Sequence, residues 1–237
     1  MKHISTPHGT SALLGAGVVL VWNDVTAEGR AQFYEWHDKE HIPERLSIPG
    51  FRRGRRYRNP GHSPEWLTFY EADDLDVLVS PEYLARLNAP TPATVETLKY
   101  FARTSRAVCR VVASLGSSSG GHVFAMRLEA GANGDAVQKF IIEDLFPRLA
   151  ANVGVLACHL FSADRSASHL DTAESKTRVF DVPSWVLLVE ASTTDAAALV
   201  QHQINECNLQ SLGGCVRGDA ATYALEICRL EQPMPIP

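Results

Sequence analysis

The sequence predicts an α+β protein made of two tandem copies of one β-α-β-β-α-β unit, packed sheet to sheet as an intrachain α/β barrel. Three observations predict it. First, Pro43, Gly50 and Tyr57 fall on Pro147, Gly154 and Phe161, a shift of 147 − 43 = 104, and the apolar run Val19-Leu20-Val21-Trp22 falls on Val123-Phe124-Ala125-Met126. Second, further along the shift becomes 185 − 66 = 119. Trp66-Leu67-Thr68-Phe69-Tyr70-Glu71-Ala72 then falls on Trp185-Val186-Leu187-Leu188-Val189-Glu190-Ala191, and Cys109-Arg110 on Cys228-Arg229. The difference, 119 − 104 = 15, is one insertion in the second copy, between Ser162 and Pro183. Third, strand-like and helix-like stretches run in the same order in both copies. Such a sheet carries helices on one face only, so its bare face must be buried, and the second copy can supply the cover.

The elements follow in order. Residues 1–15 read as a polar N-terminal arm. Residues 17–23 are a Val-rich strand ending at Asn23-Asp24, and Asp24 or Thr26 can cap a helix starting near Ala27. That helix places Phe33 and Trp36 on one face. It should stop before Pro43, because the residue before a proline avoids the α region. Ile48-Pro49-Gly50 turns into a strand over Phe51–Arg58, and Asn59-Pro60-Gly61 turns into another over Trp66–Ala72. Helical regions follow at 73–88 and 91–100, then a strand at 103–113. Repeat 1 thus spans 16–114. The Ser/Gly-rich stretch 115–121 is a linker. Repeat 2, residues 122–237, gives a strand at 122–130, a helix at 135–150, strands at 155–162 and 184–191, a helix at 195–206 and a last strand at 222–230. Each half has the ferredoxin-like order.

Composition narrows the function classes. The 237 residues are 45% hydrophobic and 21% charged, an ordinary globular balance. A net charge of −5 argues against a nucleic-acid partner. The basic run Arg52 to Arg58 is one strand, read as an anion-binding patch or a solvated face. Five cysteines without metal-binding spacing fit reduced thiols and a cytoplasmic setting. The apolar run 12–22 is too short to span a bilayer, and no leader pattern precedes it. No Gly-rich phosphate signature is present, so no nucleotide cofactor is expected.

Chemistry concentrates in the first copy. Trp36-His37-Asp38-Lys39-Glu40-His41-Ile42-Pro43-Glu44-Arg45, then Pro49-Gly50-Phe51 and Arg53-Gly54-Arg55-Arg56-Tyr57, resembles the EthD-like branch of the dimeric α/β-barrel superfamily. The match covers about 35 residues, and the second half lacks the motif. The resemblance implies the fold across both halves. It also implies a reaction drawn from cofactor-free isomerases, cyclases, lactone-processing enzymes and small monooxygenases, or from haem enzymes built of tandem units.

The residues themselves carry a parallel argument. His37 and His41 lie one turn apart on one side of a helix, and their counterparts are Ile141 and Leu145. A scaffold needs both copies apolar, and only a site needs one to stay polar. His41, in the last turn, favours an imidazolium suited to protonating an oxygen or holding a carboxylate, while His37 is placed to act as a base. Alternatively both are helix residues satisfied by Glu40 and Glu44. The five residues also spell H-x-x-E-H, used by some zinc peptidases, but Pro43 follows at once and no third ligand is evident, so no metal is expected. On the next strand Phe51, Arg53, Arg55 and Tyr57 alternate onto one face, facing the space between the sheets with His159. The arginines would hold a carboxylate or enolate and Tyr57 would donate a proton to an oxyanion, or the arginines pair with Glu40, Glu44 or Glu71. Trp22 and Asn23 end the first strand beside the motif helix. Glu71 and Glu190 recur in both copies, as structural groups do.

The expected function is a cofactor-free acid–base enzyme, an isomerase, cyclase or lyase, acting on a small carbonyl, lactone or phenolic metabolite. His41, His37 and Tyr57 would be catalytic, and Arg53, Arg55, Asn23, Trp22, Glu40 and His159 substrate-binding. The alternatives are a cofactor-free or haem-dependent monooxygenase, with His159 or His41 as axial ligand, and a non-catalytic small-ligand binder. The expected partners are a small-molecule substrate, with no nucleic acid and no membrane. The expected assembly is a monomeric pseudo-dimer or a homodimer.

Overall fold

The computed structural model describes residues 11–131, 133–177, 182–207, 209, 214–216 and 220–231. Most of the expected N-terminal arm and part of the insertion lie outside them. The first copy supplies β1 (Gly17–Val25), α1 (Arg30–Trp36), a π-helical turn (His37–His41), α2 (Ile42–Leu46), β2 (Phe51–Arg58), β3 (Trp66–Ala72), α3 (Pro81–Asn88), α4 (Pro92–Leu98) and β4 (Phe101–Gly116). The second supplies β5 (His122–Ala130), α5 (Gly134–Phe140), a π-helical turn (Ile141–Leu145), α6 (Phe146–Ala150), β6 (Val155–Ala163), α7 (Arg165–Ser168), β7 (Trp185–Ala191), α8 (Thr194–Glu206), β8 (Gly214–Val216) and β9 (Ala221–Leu230). No helix among the described residues is long and apolar enough to cross a membrane.

The chain divides into two compact units. The histidine-bearing unit comprises Leu14–Arg110, Ala163–Val182 and Leu225–Pro237. Its strand order is β4-β1-β3-β2-β9. The apolar unit comprises Met1–Leu13, Val111–Ser162 and Pro183–Ala224. There β4 neighbours β6, β6 pairs with β7, β7 with β5, and β5 also pairs with β8 and β9. Within each copy the order is fourth, first, third, second strand, the ferredoxin-like arrangement. The fold class is α+β, as expected.

Helix α1 does not stop before Pro43. It passes through the π turn into α2, with the Ile42 N–H reaching back five residues to the His37 carbonyl. Proline has no N–H to give, and its ring crowds the carbonyl four residues earlier. Widening one turn relieves that clash without ending the helix. The second copy does the same thing, Phe146 N–H bonding the Ile141 carbonyl just before Pro147. Helix starts are otherwise conventional. Ser80 Oγ accepts from Tyr83 N–H, Thr91 Oγ1 from Thr94 N–H, and Pro81 and Pro92 take the first helical positions. The first part of the expected 73–88 helix is only a short 3₁₀ turn at Val77–Val79. Asp24 does not cap α1 either, since its carboxylate accepts from Glu65 N–H and Ser63 Oγ.

A bulge in β2 corrects the expected face. Phe51 pairs with Ala72 but Arg53 pairs with Glu71. The extra residue flips the phase. Phe51 therefore packs on the helix side with Ile42, Tyr70 and Leu78, while Arg53, Arg55 and Tyr57 lie on the bare side. The same bulge recurs in β6, between Val155 and Ala157.

Two glycines position the helix layer. Gly50 has φ +92°, and a Cβ there would meet Val77 Cγ2 at 2.6 Å. Gly54 pairs with Tyr70, and its missing side chain leaves room for that ring, 2.9 Å from where a Cβ would sit. The apolar unit instead fills its helix–sheet layer with Phe124, Met126, Ile141, Leu145, Leu187 and Val189.

Candidate functional site

The histidine-bearing unit has a cavity of about 40 Å³ between its helices and its sheet. Helices supply Trp36, His37, His41 and Leu98, and strands supply Val21, Asn23, Thr68, Tyr70, Phe101 and Thr104. Glu174 comes from the segment between β6 and β7. Val21, His41, Leu98 and Phe101 are half-exposed and mark the mouth, and the other lining residues are buried. The volume admits about two or three waters, or a molecule of dioxygen.

The strand phases explain the lining. Val21 pairs with Thr68, and Val19 with Tyr70. The same face therefore carries Val21, Asn23, Thr68 and Tyr70 beneath the helix. In the other copy Thr68 and Tyr70 correspond to Leu187 and Val189, and the histidines to Ile141 and Leu145. All four replacements are in the packed core of the apolar unit. The cavity is thus the place where one copy kept polar groups and the other closed the layer.

His37 is 4% exposed and stacks on Phe33, ring centroids 5.1 Å apart. Its Nδ1 lies 3.0 Å from Arg56 Nη1. A guanidinium only donates, so Nδ1 accepts and the ring proton sits on Nε2. Burial, and then the Arg56 and Arg45 charges, hold His37 well below the usual imidazole range. It is a neutral N–H donor. Arg56 is itself held by Asp38 and Glu226 at 2.5 and 2.8 Å. Its guanidinium carbon also lies 4.6 Å from the Tyr34 ring centroid. The His41 ring lies tilted against Trp36 at 4.3 Å and stacks on His37 at 5.5 Å.

Two hydroxyls of the lining, Tyr70 Oη and Thr104 Oγ1, are buried and have no hydrogen-bond partner among the described residues. Buried polar groups are nearly always satisfied, so such orphans mark a place for a ligand or water. Burial pushes the Tyr70 phenol far up, so it stays protonated as a donor.

The depressed His37 value makes stability depend on pH. Its folded value lies below 6.5. Below pH 6.5 the unfolded chain therefore binds a proton that the folded chain refuses. The stability conferred by the neutral ring is complete above that pH and is lost as pH falls. Thermal unfolding should show His37→Phe losing less stability between pH 7 and pH 5 than wild type, by up to about 1.4 kcal/mol per pH unit. Equal losses would show that His37 titrates alike in both states.

The sequence-predicted residues separate into four places. His37, His41 and Asn23 line the cavity. Glu40 turns aside to accept a hydrogen bond from Thr91, the cap of α4. Trp22, paired with Leu67, shares the bare sheet face with Arg53, Arg55 and Tyr57. There Arg53 makes a two-pronged contact to Glu71 at 2.7 and 2.9 Å, and Arg55 donates to the same carboxylate at 2.9 Å. Glu71 also accepts the Leu14 N–H at 2.9 Å. His159 belongs to the apolar unit, where Ser114 Oγ is 2.9 Å from its Nδ1 and Glu190 3.5 Å from its Nε2. Glu190 accepts the Gly120 N–H at 2.7 Å. Each recurring glutamate therefore ties down an amide just ahead of its copy's first strand.

Tyr70, Thr68, Thr104, Arg56 and Glu174 were not anticipated. Tyr70 and Thr68 carry the same copy asymmetry that marked the histidines. Glu174 lies in the insertion, where there is no counterpart to compare. Among the described residues, no group of three His, Cys, Asp or Glu side chains could hold a metal ion.

Neither a protein-family model nor a curated protein matches the chain. Solved structures do. An anthrone oxidase-like protein is 14% identical with a TM-score of 0.61, over 94% of this chain and 96% of that one. A candidate monooxygenase from Lactobacillus acidophilus is 11% identical with a TM-score of 0.55, over 91% and 97%. A haem-binding protein from Thermus thermophilus is 14% identical with a TM-score of 0.54, over 93% and 94%. The chain shares the fold of these ferredoxin-like, dimeric α/β-barrel proteins across both copies.

The third likeness corrects the expectation of no cofactor, because this fold holds haem in that protein. The His37–His41 cavity does not fit one as folded. It is far smaller than the roughly 300–1,000 Å³ of ligand pockets. Arg56 also leaves the proton of His37 on Nε2, where an iron ligand needs a bare nitrogen.

Proposed function

We propose that the chain is an oxidoreductase of the monooxygenase type. Its substrates would be dioxygen and a small enolisable phenolic ketone of the anthrone kind, taken up at the His37–His41 cavity. One observation carries this reading. The first copy lines its helix–sheet layer with imidazoles and orphan hydroxyls, where the second copy packs leucine, isoleucine and valine. The names of the anthrone oxidase-like and monooxygenase neighbours support oxygen chemistry, and the isomerase, cyclase or lyase expectation gives way to it. Placement in the EthD-like branch, on the Trp36–Arg45 and Pro49–Phe51 segments, belongs to the same reading.

The residues divide the work by position. His41, at the mouth, accepts a proton from the CH₂ next to the carbonyl system. His37 Nε2–H and Tyr70 O–H donate to the enolate oxygen that forms. The electron-rich enolate then combines with dioxygen. The overall change is CH₂ + O₂ → C=O + H₂O, one oxygen atom entering the ketone and the other leaving as water with both hydrogens. The rings of the ketone exceed the cavity as folded, so part of the lining must yield. Glu174 is the member carried on a separate segment.

Oxygen uptake with 1,8-dihydroxyanthrone tests the class. We expect uptake above the heat-inactivated control and a quinone product. Uptake equal to the control, across a panel of phenolic ketones, would remove the proposal.

A further inference from the structure

We propose that Arg45 and Tyr70 form an anion subsite of this cavity. Glu174 stands there as the chain's own carboxylate, to be exchanged for that of a small aromatic acid. The proposal rests on the cavity being the ligand site, not on oxygen chemistry.

Arg45 is 2% exposed, and its Nη2 donates to Glu174 Oε1 at 2.5 Å. Its other terminal nitrogen, Nη1, is buried without a hydrogen bond among the described residues, 3.5 Å from Glu44. Tyr70 Oη is the orphan donor of the same lining, and Arg45 and Glu174 are among the charges that act on it. A buried cation, a spare N–H and an orphan O–H together make a site for a carboxylate or phenolate. Glu174 fills only part of that capacity.

The carrier of Glu174 is the insertion of the second copy, and it docks on the histidine-bearing unit through contacts of its own. Asp164 N–H donates to the Val108 carbonyl at 2.8 Å, and Val108 N–H to Ser168 Oγ at 3.0 Å. The turn that presents Glu174 is closed by Thr172 and Ser175 and held to α3 by Asn88. None of these anchors uses the Glu174 side chain. Exchange of one carboxylate for another keeps the buried charge balance unchanged, which favours an anion over a neutral ligand. The Trp36, Phe101, Leu98 and Val21 walls favour an aromatic body.

The test is calorimetric titration and thermal unfolding of the full chain with benzoate, using benzamide as the neutral control. Glu174→Ala leaves Arg45 with only the looser Glu44 contact at 3.5 Å, and benzoate should bind it roughly ten-fold or more tighter than wild type and raise its Tm. Benzamide should do neither, and adding Arg45→Met should remove the gain. Equal responses to benzoate and benzamide, or a gain that survives Arg45→Met, would overturn the subsite. Should Glu174→Ala fail to fold alone, refolding it in excess benzoate must recover it; no recovery counts against the proposal. Benzoate binding without oxygen uptake would retire the oxidoreductase reading and keep the subsite. Uptake without a benzoate response would do the reverse.

Discussion

Glu71→Ala is expected to lower stability by about 3–5 kcal/mol, or roughly 6–20 °C in Tm for a chain of this size. The carboxylate is fully buried and neutralises two arginines that are themselves 8% and 1% exposed. Taking two cations and a carboxylate out of water is expensive, and the pairing roughly offsets that cost. Removing the carboxylate alone leaves the expense without the offset, and strands the Leu14 N–H as well. Glu190→Ala is the informative comparison, because the recurring glutamate there faces His159 and the Gly120 amide. An imidazole carries no obligatory charge to strand when the carboxylate goes, whereas an arginine always does. Glu190→Ala should therefore cost about 1–3 kcal/mol. Calorimetric unfolding of both variants checks the ranking. A Glu71→Ala protein within about 1 kcal/mol of wild type would mean that Glu71 is not what holds Arg53 and Arg55 in place.

His37→Leu is expected to lower kcat for ketone oxidation by roughly 10²–10³, the usual loss when one preorganised donor to an oxyanion is removed. The fold should tolerate it, because Arg56 keeps Asp38 and Glu226 and leucine suits the apolar stack on Phe33. Tyr57→Phe supplies the contrast. Tyr57 lies on the bare face of the sheet, away from the cavity, so its loss should change kcat by no more than about two- to three-fold, as a distant packing change does. A His37→Leu enzyme with unchanged kcat, or a Tyr57→Phe enzyme that loses as much, would move the chemistry off this cavity.

Much of this was legible in the sequence because a duplicated chain carries its own control. Gly50 and Gly154, Pro43 and Pro147, and Glu71 and Glu190 recur because backbone turns, a widened helix and a buried amide need them in both copies. Histidines 37 and 41 stand out because Ile141 and Leu145 show what the scaffold alone would use. Three things were not legible. The β2 bulge shifts phase inside an unbroken run of strand residues, so period-two counting placed Phe51 beside Arg53. The π turn defeats the rule that a helix stops before proline, because the chain can widen rather than end. And Arg56 decides which nitrogen of His37 bears the proton, across 19 residues of sequence, which no local pattern records. The arginines at 53 and 55 were visible as cations, but only the register of β2 on β3 shows that Glu71 already holds both.

The measurement that bears most directly on the central claim is oxidation of the anthrone under ¹⁸O₂, followed by mass spectrometry of the product, in wild type and His37→Leu. One ¹⁸O atom in the new carbonyl, formed at a rate that collapses in His37→Leu, is the predicted result. The label must be read promptly, before the new carbonyl exchanges with water. Loss of the substrate's CH₂ hydrogens to solvent without any ¹⁸O in the product would contradict the account, and would return this cavity to proton-transfer chemistry alone.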